Sequence, residues 1–429
     1  MRVAIVGGGY SGTIAAAAFA RRGAEVTLVE KAERFAAGAA YSTSEPSHLL
    51  NVRARSMSAL DEAPRHFRDW VEREGLGGGD TFVPRRDYRR YLAGIWEEAL
   101  ATGRVRALHG VAVAAAEGRL ELADGTRIGL DRLVLAGGNY PSRLPLGLGV
   151  PPSRAVDDPW GPQGSERLRA LAAQAGDLLL VGTGLTMVDV CLTLDEAGFT
   201  GRMIATSRRG LVPRRHVEAG DEPLPSPGPL PLRSLVREVR GTARRAPWRA
   251  AVDALRADSV AIWRGWSEPE RRRFLRHLRP WWDVHRHRIA PPVASRIETM
   301  RREQRLEVIA GRISFAEEGA GGLGVSIRRR GGGEERVQVS AVVNCTGPEG
   351  DLSRVEDPLV RQLIASGQAR PDPLRIGLDV DAQSRVLSSA GWASETLYAL
   401  GPLTRGAFWE MVAVPDIRGQ IERVAAAAY

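Results

Sequence analysis

The chain has 429 residues, of which 43% are hydrophobic and 26% charged, enough for two or three domains with apolar cores. Its formal net charge is +9, but Lys31 is the only lysine and the arginines are spread along the chain, so we do not expect a nucleic-acid-binding patch. Cys191 and Cys345 form no C-x-x-C pair, no apolar run is long enough to cross a bilayer, and the first strand begins almost at Met1. We therefore expect a cytoplasmic protein without a disulfide framework or a membrane partner.

The first thirty residues form a dinucleotide-binding pattern. An apolar strand at residues 2–6 runs into a glycine turn, an Ala-rich helix follows at residues 13–22, and a second strand at residues 26–29 ends on Glu30. Gly7, Gly9 and Gly12 make the G-x-G-x-x-G spacing, which allows a tight turn, a close approach to a pyrophosphate and close packing of helix on strand. An acid in the position of Glu30 accepts hydrogen bonds from a ribose diol.

A second copy of this pattern begins at residue 178. A strand at 178–181, the turn Gly182-Thr183-Gly184, a helix at 185–197 and a strand at 202–206 repeat the order, with Met187 in place of the third glycine. The second unit has no acid in the place of Glu30 and continues Ser207-Arg208-Arg209. Arginine at this point suits the 2′-phosphate of NADP. The alternative is a solvated loop of an arginine-rich protein.

Other segments complete the outline. We expect a helix ending near residue 101, strands over 105–122 and 127–130, and two apolar strands that exit into small residues, at 133–141 and 341–348. Helical spacing dominates residues 212–300 and strands return over 306–339. A strand and turn at 397–406, a helix N-terminus soon after Gly406 and a terminal helix at 414–427 close the chain.

These elements predict an α/β fold with two Rossmann-like dinucleotide-binding domains and a helical insertion. The expected division is a first part of one dinucleotide-binding domain at 1–155, a second dinucleotide-binding domain at 156–211 and 301–340, the insertion at 212–300, and the second part of the first domain at 341–429.

The chain resembles the two-dinucleotide-binding-domain flavoproteins. Within them it is similar to the FAD/NAD(P)-binding family that includes a FAD-dependent urate hydroxylase and the amine monooxygenases that form nitrosuccinate. The segments that carry this resemblance are His48-Leu49-Leu50-Asn51-Val52, Phe82-Val83-Pro84-Arg85-Arg86, Gly182 to Asp189, and Trp282-Asp283-Val284-His285-Arg286-His287-Arg288.

The resemblance implies FAD on the first unit and NADPH on the second. The residues expected at FAD are Gly7, Gly9, Ser11, Gly12, Glu30, Lys31, His48, Asn51, Val52, Met57, Val111, Gly137, Gly347, Gly401, Pro402, Thr404 and Gly406. Those expected at NADPH are Gly182, Gly184, Leu185, Thr186, Ser207 and Arg208.

Two dinucleotides in one chain predict hydride transfer, and the electron acceptor separates three hypotheses. The leading one is an NADPH-dependent FAD monooxygenase that uses molecular oxygen, through a flavin hydroperoxide, on a small nitrogen-containing or heterocyclic substrate. The second is an oxidoreductase that passes electrons to an organic acceptor without oxygen insertion, and the third is a non-catalytic nucleotide-binding regulator. A disulfide substrate would need a C-x-x-C pair that the chain does not have.

The candidate substrate residues are Trp281, Trp282, His285, Arg286, His287 and Arg405. Tryptophan beside alternating His and Arg is suited to a flat or anionic molecule, although the same pattern also fits a well-packed helix with solvated arginines. No side chain stands out as a catalytic base, Asp189 is expected to anchor the second nucleotide helix, and no metal-ligand cluster or hydrolase triad is evident.

Overall fold

The computed structural model describes residues 1–116, 118–144, 149–217, 224–319 and 321–428. Residues 117, 145–148, 218–223, 320 and 429 lie outside the described residues, and with them parts of the strand segments expected at 105–122 and 306–339 and of the domain parts expected at 1–155, 212–300 and 341–429. The strands, in chain order, are β1 (Arg2–Val6), β2 (Glu25–Glu30), β3 (Val105–His109), β4 (Ala112–Ala116), β5 (Arg119–Leu122), β6 (Arg127–Gly129), β7 (Arg132–Leu135), β8 (Ala155–Val156), β9 (Leu178–Val181), β10 (Met203–Ser207), β11 (Leu306–Gly319), β12 (Gly322–Arg329), β13 (Glu334–Val339), β14 (Ala341–Asn344), β15 (Arg385–Leu387) and β16 (Ala393–Ala399). The helices are α1 (Tyr10–Arg21), α2 (Gly38–Tyr41), α3 (His66–Arg73), α4 (Arg85–Ala101), α5 (Gly164–Ala172), α6 (Leu185–Glu196), α7 (Leu232–Thr242), α8 (Trp248–Asp253), α9 (Ser259–Gly265), α10 (Glu268–Arg273), α11 (Arg279–Arg286), α12 (Pro291–Arg302), α13 (Pro358–Ala365) and α14 (Val414–Ala427).

The first sheet combines strands from both ends of the chain. Its order is β15-β16-β7-β1-β2-β3, and β1 pairs in parallel with β2 and β7. The middle of β1 is buried on both faces, as a parallel sheet covered by helices requires. Helices α4 and α14 both contact α1, so the glycine turn before α1 lies against elements from the two ends of the sequence.

The second sheet carries the repeat. Its order is β13-β12-β11-β10-β9-β14-β8, with β9 parallel to β10 and β14 and with β11, β12 and β13 forming an antiparallel meander. All four residues of β9 are buried. The two sheets confirm the predicted α/β class and the two Rossmann-like units.

Two domain boundaries in the structure differ from those expected from the sequence. Strand β14 was expected to open the second FAD-binding part at residue 341, but it pairs with β8 and β9 in the second sheet, so that boundary is wrong by at least the length of the strand. Helix α12, expected partly in the insertion, buries Val293 and Ile297 in the core of the second unit. An apolar sequence predicts a buried strand or helix face but not which sheet covers it.

The helical insertion has a core of its own. Trp263, Trp266 and Phe274 pack together there, and Trp409 from the C-terminal part of the chain stacks on Trp263 with ring centroids 5.0 Å apart. Between α10 and α11, residues Phe274–Leu278 form one π-helical turn. The insertion therefore rests on the segment that follows β16.

That C-terminal segment leads into the terminal helix. The helix N-terminus expected after Gly406 is that of α14, which begins at Val414, because residues 405–413 make turns that send Phe408, Trp409 and Met411 into the cores. Among the described residues no helix is both long and apolar enough to span a bilayer.

Candidate functional site

The first glycine turn is built for close backbone contact. Gly7 has φ +107°, and a Cβ atom added there would lie 2.4 Å from the carbonyl oxygen of Ala136. A Cβ atom at Gly12 would lie 1.8 Å from the carbonyl oxygen of Gly7. Helix α1 starts after Gly9 without a side-chain cap, so its first-turn N–H groups point out of the turn at the C-terminal edge of the sheet. Such an N-terminus is suited to a pyrophosphate.

Glu30 lies at the end of β2, facing this turn. Its carboxylate accepts hydrogen bonds from the backbone N–H groups of Gly8 and Ala32. The next residue, Lys31, is exposed. Val111 lies just beyond Gly110, whose N–H donates to the carbonyl of Glu30. These residues surround the position that the adenosine ribose takes in a dinucleotide-binding fold.

The C-terminal turn meets the start of α1. A Cβ atom at Gly401 would lie 2.7 Å from the hydroxyl oxygen of Ser11. The N–H of Gly401 donates to Gln420, and the Thr404 hydroxyl donates to the carbonyl of Gly401. Pro402 lies within the same short 3₁₀ turn. Gly406 packs against Asp372 and accepts a 2.8 Å hydrogen bond from the indole of Trp263 in the insertion.

The segment His48–Val52, which includes residues expected at FAD, is used largely for contacts between units. His48 is 2% exposed; its Nδ1 lies 2.8 Å from the Thr43 hydroxyl, and its Nε2 lies 3.1 Å from both the Asp189 carbonyl and the Thr193 hydroxyl of α6. Burial lowers the pKa of His48, so the ring is neutral at pH 7. Both ring nitrogens are therefore occupied by protein groups, which favours a structural role for His48.

Other residues of this loop have backbone partners. The Asn51 carbonyl accepts a 2.9 Å hydrogen bond from the ring of His216, and the carbonyl of the buried Met57 accepts one from Tyr88. Val52 is half-buried between them. Gly137, at the exit of β7, comes within 3.1 Å of a Cβ built on Gly7. Of these residues, Gly137 lies closest to the glycine turn.

The second glycine turn has the same geometry as the first. Gly182 has φ +122°, and a Cβ atom there would lie 2.1 Å from the carbonyl oxygen of Cys345. Gly184 precedes α6, which also lacks a side-chain cap, and a Cβ atom at Gly184 would meet nothing within 4 Å. The fully buried Met187 fills the place of the third glycine with a core side chain.

The neighbours of this turn agree with a nucleotide site. Ser207, the last residue of β10, places its hydroxyl 2.8 Å from that of Thr183 within the turn. Leu185 and Thr186 form the half-buried start of α6, and Arg208 is exposed just after β10. Gly347 was predicted at FAD, but it follows β14 and lies two residues after Cys345, whose carbonyl contacts the Gly182 turn.

A charged cluster joins the insertion to the C-terminal segment. Glu410 is 3% exposed and accepts a 2.9 Å hydrogen bond from the Trp282 indole, and its other oxygen lies 3.1 Å from Nε of Arg286. Burial alone would raise the pKa of Glu410, but the charges of His287 and Arg286 lower it below its ordinary value. Burial also lowers the pKa of His287. The cluster thus places an ionised Glu410 beside the imidazole of His287 and the guanidinium of Arg286.

Arg405 brings a second cation to this cluster. Its guanidinium lies 5.2 Å from the centre of the Trp409 ring. Burial, followed by the nearby charge of Arg279, lowers the pKa of Arg405 to about 10, so it remains protonated at pH 7. Within the described parts of the chain Arg405 makes no ion pair, and neither its Nε nor the indole N–H of the buried Trp409 has a hydrogen-bond partner. Two buried N–H donors of neighbouring side chains are therefore without an acceptor.

The six predicted substrate residues separate into two groups. Trp282, Arg286, His287 and Arg405 lie around Glu410, as described above. Trp281 is 43% exposed, and His285 donates a hydrogen bond from Nδ1 to the Trp281 carbonyl and packs edge-on against Trp248. Sequence reasoning missed Glu410 and Trp409. The only signal for them is an acid and an aromatic residue directly after the Gly401–Gly406 turn.

The two cysteines are both buried and unpaired with each other. Cys191 lies within α6, 3.5 Å from the Met187 sulfur, and Cys345 follows β14. Burial raises the pKa of both thiols well above the ordinary value. Neither is suited to thiol exchange with a substrate.

Comparisons with known proteins agree with this geometry. Residues 4–140 match the model of a family described as FAD-NAD(P)-binding. Among curated proteins none matches the sequence.

Solved structures match over the whole chain. An ornithine N-hydroxylase from Kutzneria sp. 744, solved with reduced FAD, NADP⁺ and L-ornithine, has a TM-score of 0.68 at 14% identity, covering 99% of this chain and 98% of that one. L-lysine 6-monooxygenase from Pseudomonas syringae has a TM-score of 0.64 at 18% identity, with the same two coverages. Thioredoxin reductase from T. acidophilum has a TM-score of 0.53 at 13% identity, covering 100% of this chain and 97% of that one. The chain therefore shares the two-domain fold of these solved structures, and residues 4–140 match a family described as FAD-NAD(P)-binding.

Proposed function

We propose that the protein is an NADPH-dependent FAD monooxygenase that hydroxylates or N-oxidises a small nitrogen-containing or heterocyclic substrate. The observation that carries this proposal is the pair of matching glycine turns, each at the C-terminal edge of its own sheet and each leading into an uncapped helix. The similarity to N-hydroxylating monooxygenases over nearly the full length of both chains supports it.

The first turn is assigned to FAD. A pyrophosphate at the N-terminus of α1 is held by backbone N–H groups after Gly9, and Glu30 is placed to accept hydrogen bonds from the ribose. The Gly401–Thr404 turn, which contacts Ser11, then borders the other half of the cofactor. The turn at Gly182 and Gly184, with Ser207 and Arg208 beyond it, is assigned to NADPH.

When bound, FAD takes a hydride from NADPH and activates molecular oxygen for transfer to the substrate. The chain contributes binding, orientation and exclusion of water. Trp263, Trp409 and Phe274 form a largely dry aromatic wall behind the Gly406 turn. A dry surrounding favours oxygen transfer over loss as peroxide. We also propose that the protein works in the cytoplasm, where cysteines stay reduced.

The substrate of this proposal carries an anionic group. Arg405 and the Trp409 indole offer two N–H donors that have no hydrogen-bond partner in the described residues, and Arg405 forms no direct ion pair there. A carboxylate or a similarly charged group on the substrate satisfies both donors and the charge. Glu410 is not available for this role because Arg286 and Trp282 already use its two oxygens.

Reduction of a disulfide is the activity named for one of the structural neighbours, thioredoxin reductase. The present chain is poorly equipped for it, because both of its cysteines are buried and their thiol pKa values are raised. Electron transfer to another organic acceptor stays the alternative to oxygen insertion.

The test of the function is NADPH oxidation under air with a panel of amino acids, amines and purines. We expect substrate-dependent NADPH and oxygen consumption and a product that is heavier by one oxygen atom. Turnover that continues under nitrogen with a quinone, and is not increased by oxygen, would support the alternative.

Replacing Arg405 tests the substrate site. For Arg405→Gln we expect an increase of about tenfold or more in KM for an anionic substrate, because a charge-assisted hydrogen bond is lost, with NADPH-driven flavin reduction nearly unchanged. Arg423→Gln, an exposed arginine on α14, is the control. Equal KM values for the Arg405 variant and the control would show that Arg405 does not bind the substrate.

A further inference from the structure

A cavity of about 500 Å³ beside the second sheet is lined by seven arginines. They come from four segments: Arg208 and Arg209 follow β10, Arg276 belongs to the π-helical turn of the insertion, Arg312 lies on β11, and residues 328–330 end β12 and begin the next turn. A cavity of this size is large enough for part of a nucleotide.

Six of the seven lining arginines form no ion pair with a described residue. Among the residues that the structure describes, Arg329 is the one lining arginine with carboxylate partners, Glu335 at 2.5 Å and Glu307 at 3.9 Å. The lining contains no acidic residue. Clustered guanidinium groups repel one another, and a phosphate monoester relieves that repulsion with bidentate hydrogen bonds.

The cavity lies at the end of the second unit where a coenzyme's adenosine is expected. Ser207, directly before Arg208, contacts Thr183 in the glycine turn. The loop after it touches β11, since a Cβ atom on Gly210 would lie 3.1 Å from that of Ala310, next to the cavity residue Gly311. In a dinucleotide-binding unit the residue after the second strand lies at the adenosine ribose, so Arg208 places this cavity at the adenosine end and not at the nicotinamide end.

The insertion reaches this cavity through a fixed turn. Arg209 donates a 3.2 Å hydrogen bond to the carbonyl of His277, so the loop after β10 and the π-helical turn are in direct contact. On its other side the turn is anchored by the buried Phe274, which packs against Trp263 and Trp409. Single π-helical turns inside helices are frequent at functional sites.

We propose that Arg276 of the helical insertion binds the 2′-phosphate of NADPH together with Arg208 and Arg312, so that the coenzyme joins the insertion to the second nucleotide unit. This inference rests on the proposed NADPH site and adds a residue from outside the Rossmann-like unit. NADH, which lacks the 2′-phosphate, leaves Arg276 without a ligand.

The first test is calorimetric binding of adenosine 2′,5′-bisphosphate and of ADP to the purified protein, with no turnover required. We expect the 2′-phosphate ligand to bind more tightly, and Arg276→Gln to weaken it by about tenfold while leaving ADP binding unchanged. Arg273→Gln is the matched control, because Arg273 is an exposed arginine one turn earlier that does not line the cavity. Equal losses for the Arg276 and Arg273 variants would overturn the proposal.

The second test is hydrogen exchange over residues 274–278. We expect adenosine 2′,5′-bisphosphate to slow exchange of these amides in the wild type, and to do so much less in Arg276→Gln. If Arg276 acted only through long-range electrostatic attraction, the ligand would leave hydrogen exchange in the turn unchanged. That result would overturn the proposal that Arg276 contacts the phosphate. Both tests are independent of oxygen chemistry, so a protein that binds the bisphosphate but consumes no oxygen would contradict the proposed function and not this inference.

Discussion

At Gly12 the start of helix α1 comes so close to the preceding turn that the position has no room for any side chain. A Cβ atom would lie 1.8 Å from the carbonyl oxygen of Gly7, which is backbone and cannot rotate away. The third glycine of the fingerprint is therefore a packing requirement that the sequence spacing alone predicts. The equivalent position in the second unit is Met187, whose fully buried side chain packs in the core of that unit.

For Gly12→Ala we predict loss of bound FAD, because the phosphate-binding turn must open to admit the methyl group. The visible flavin absorbance of the purified variant measures this. Gly94→Ala is the control, since Gly94 lies within α4 and a Cβ atom there meets nothing within 4 Å. It should keep its flavin and gain up to about 1 kcal/mol in stability. A yellow Gly12→Ala variant would contradict the assignment of this turn.

The environment of His216 predicts how the stability of the protein depends on pH. Its ring bonds to the Asn51 carbonyl, and burial lowers its pKa to about 4, against about 6.5 in an unfolded chain. Between these values the unfolded chain binds a proton that the folded protein does not, so stability falls as the pH falls. From about pH 7 to about pH 5 the wild type should lose about 2 kcal/mol more unfolding free energy than His216→Gln. Urea denaturation at the two pH values measures the difference, and equal losses would exclude a buried neutral His216.

At the scale of elements, the contact between α11 and the segment after β16 depends on one buried carboxylate. Glu410 holds Trp282 and Arg286, both on α11, while Trp409 beside it stacks on Trp263 of α9. These contacts fix the insertion on the C-terminal turn that borders the proposed FAD site.

Glu410→Gln should destabilise the protein by about 3 kcal/mol, because Arg286 then stays buried without a counter-charge. The control is Glu268→Gln, which breaks an exposed pair with Arg272 and should cost less than about 1 kcal/mol. Thermal or urea unfolding compares the two variants. A Glu410 variant as stable as the control would show that the buried pair does not hold the insertion in place.

The positions of most of these helices and strands could be predicted from the sequence. Periodicity and glycine spacing placed β1, α1, β9 and α6 to within a few residues, and the terminal helix at residues 414–427 was predicted to its ends. The assignment of β14 to the first unit was wrong, because the sequence of an apolar strand does not show which strands it pairs with. Glu410 was missed because its importance comes from Trp282 and Arg286, more than a hundred residues away in sequence.

The whole molecule holds its two nucleotide units together through buried polar contacts. Arg85 at the start of α4 pairs with Asp189 of α6 at 2.8 Å, and both side chains are largely buried. His48 adds hydrogen bonds to the same helix. Asp189 thus anchors α6 to the first unit, and the two glycine turns keep a fixed relation to each other.

The most direct test of the two-nucleotide account is the visible spectrum of the purified protein, followed through addition of NADPH under nitrogen and then of air. The account predicts a yellow protein whose flavin absorbance is bleached by NADPH without oxygen and returns when air is admitted. A colourless protein that takes up no added FAD, or a bound flavin that NADPH leaves oxidised, would contradict it.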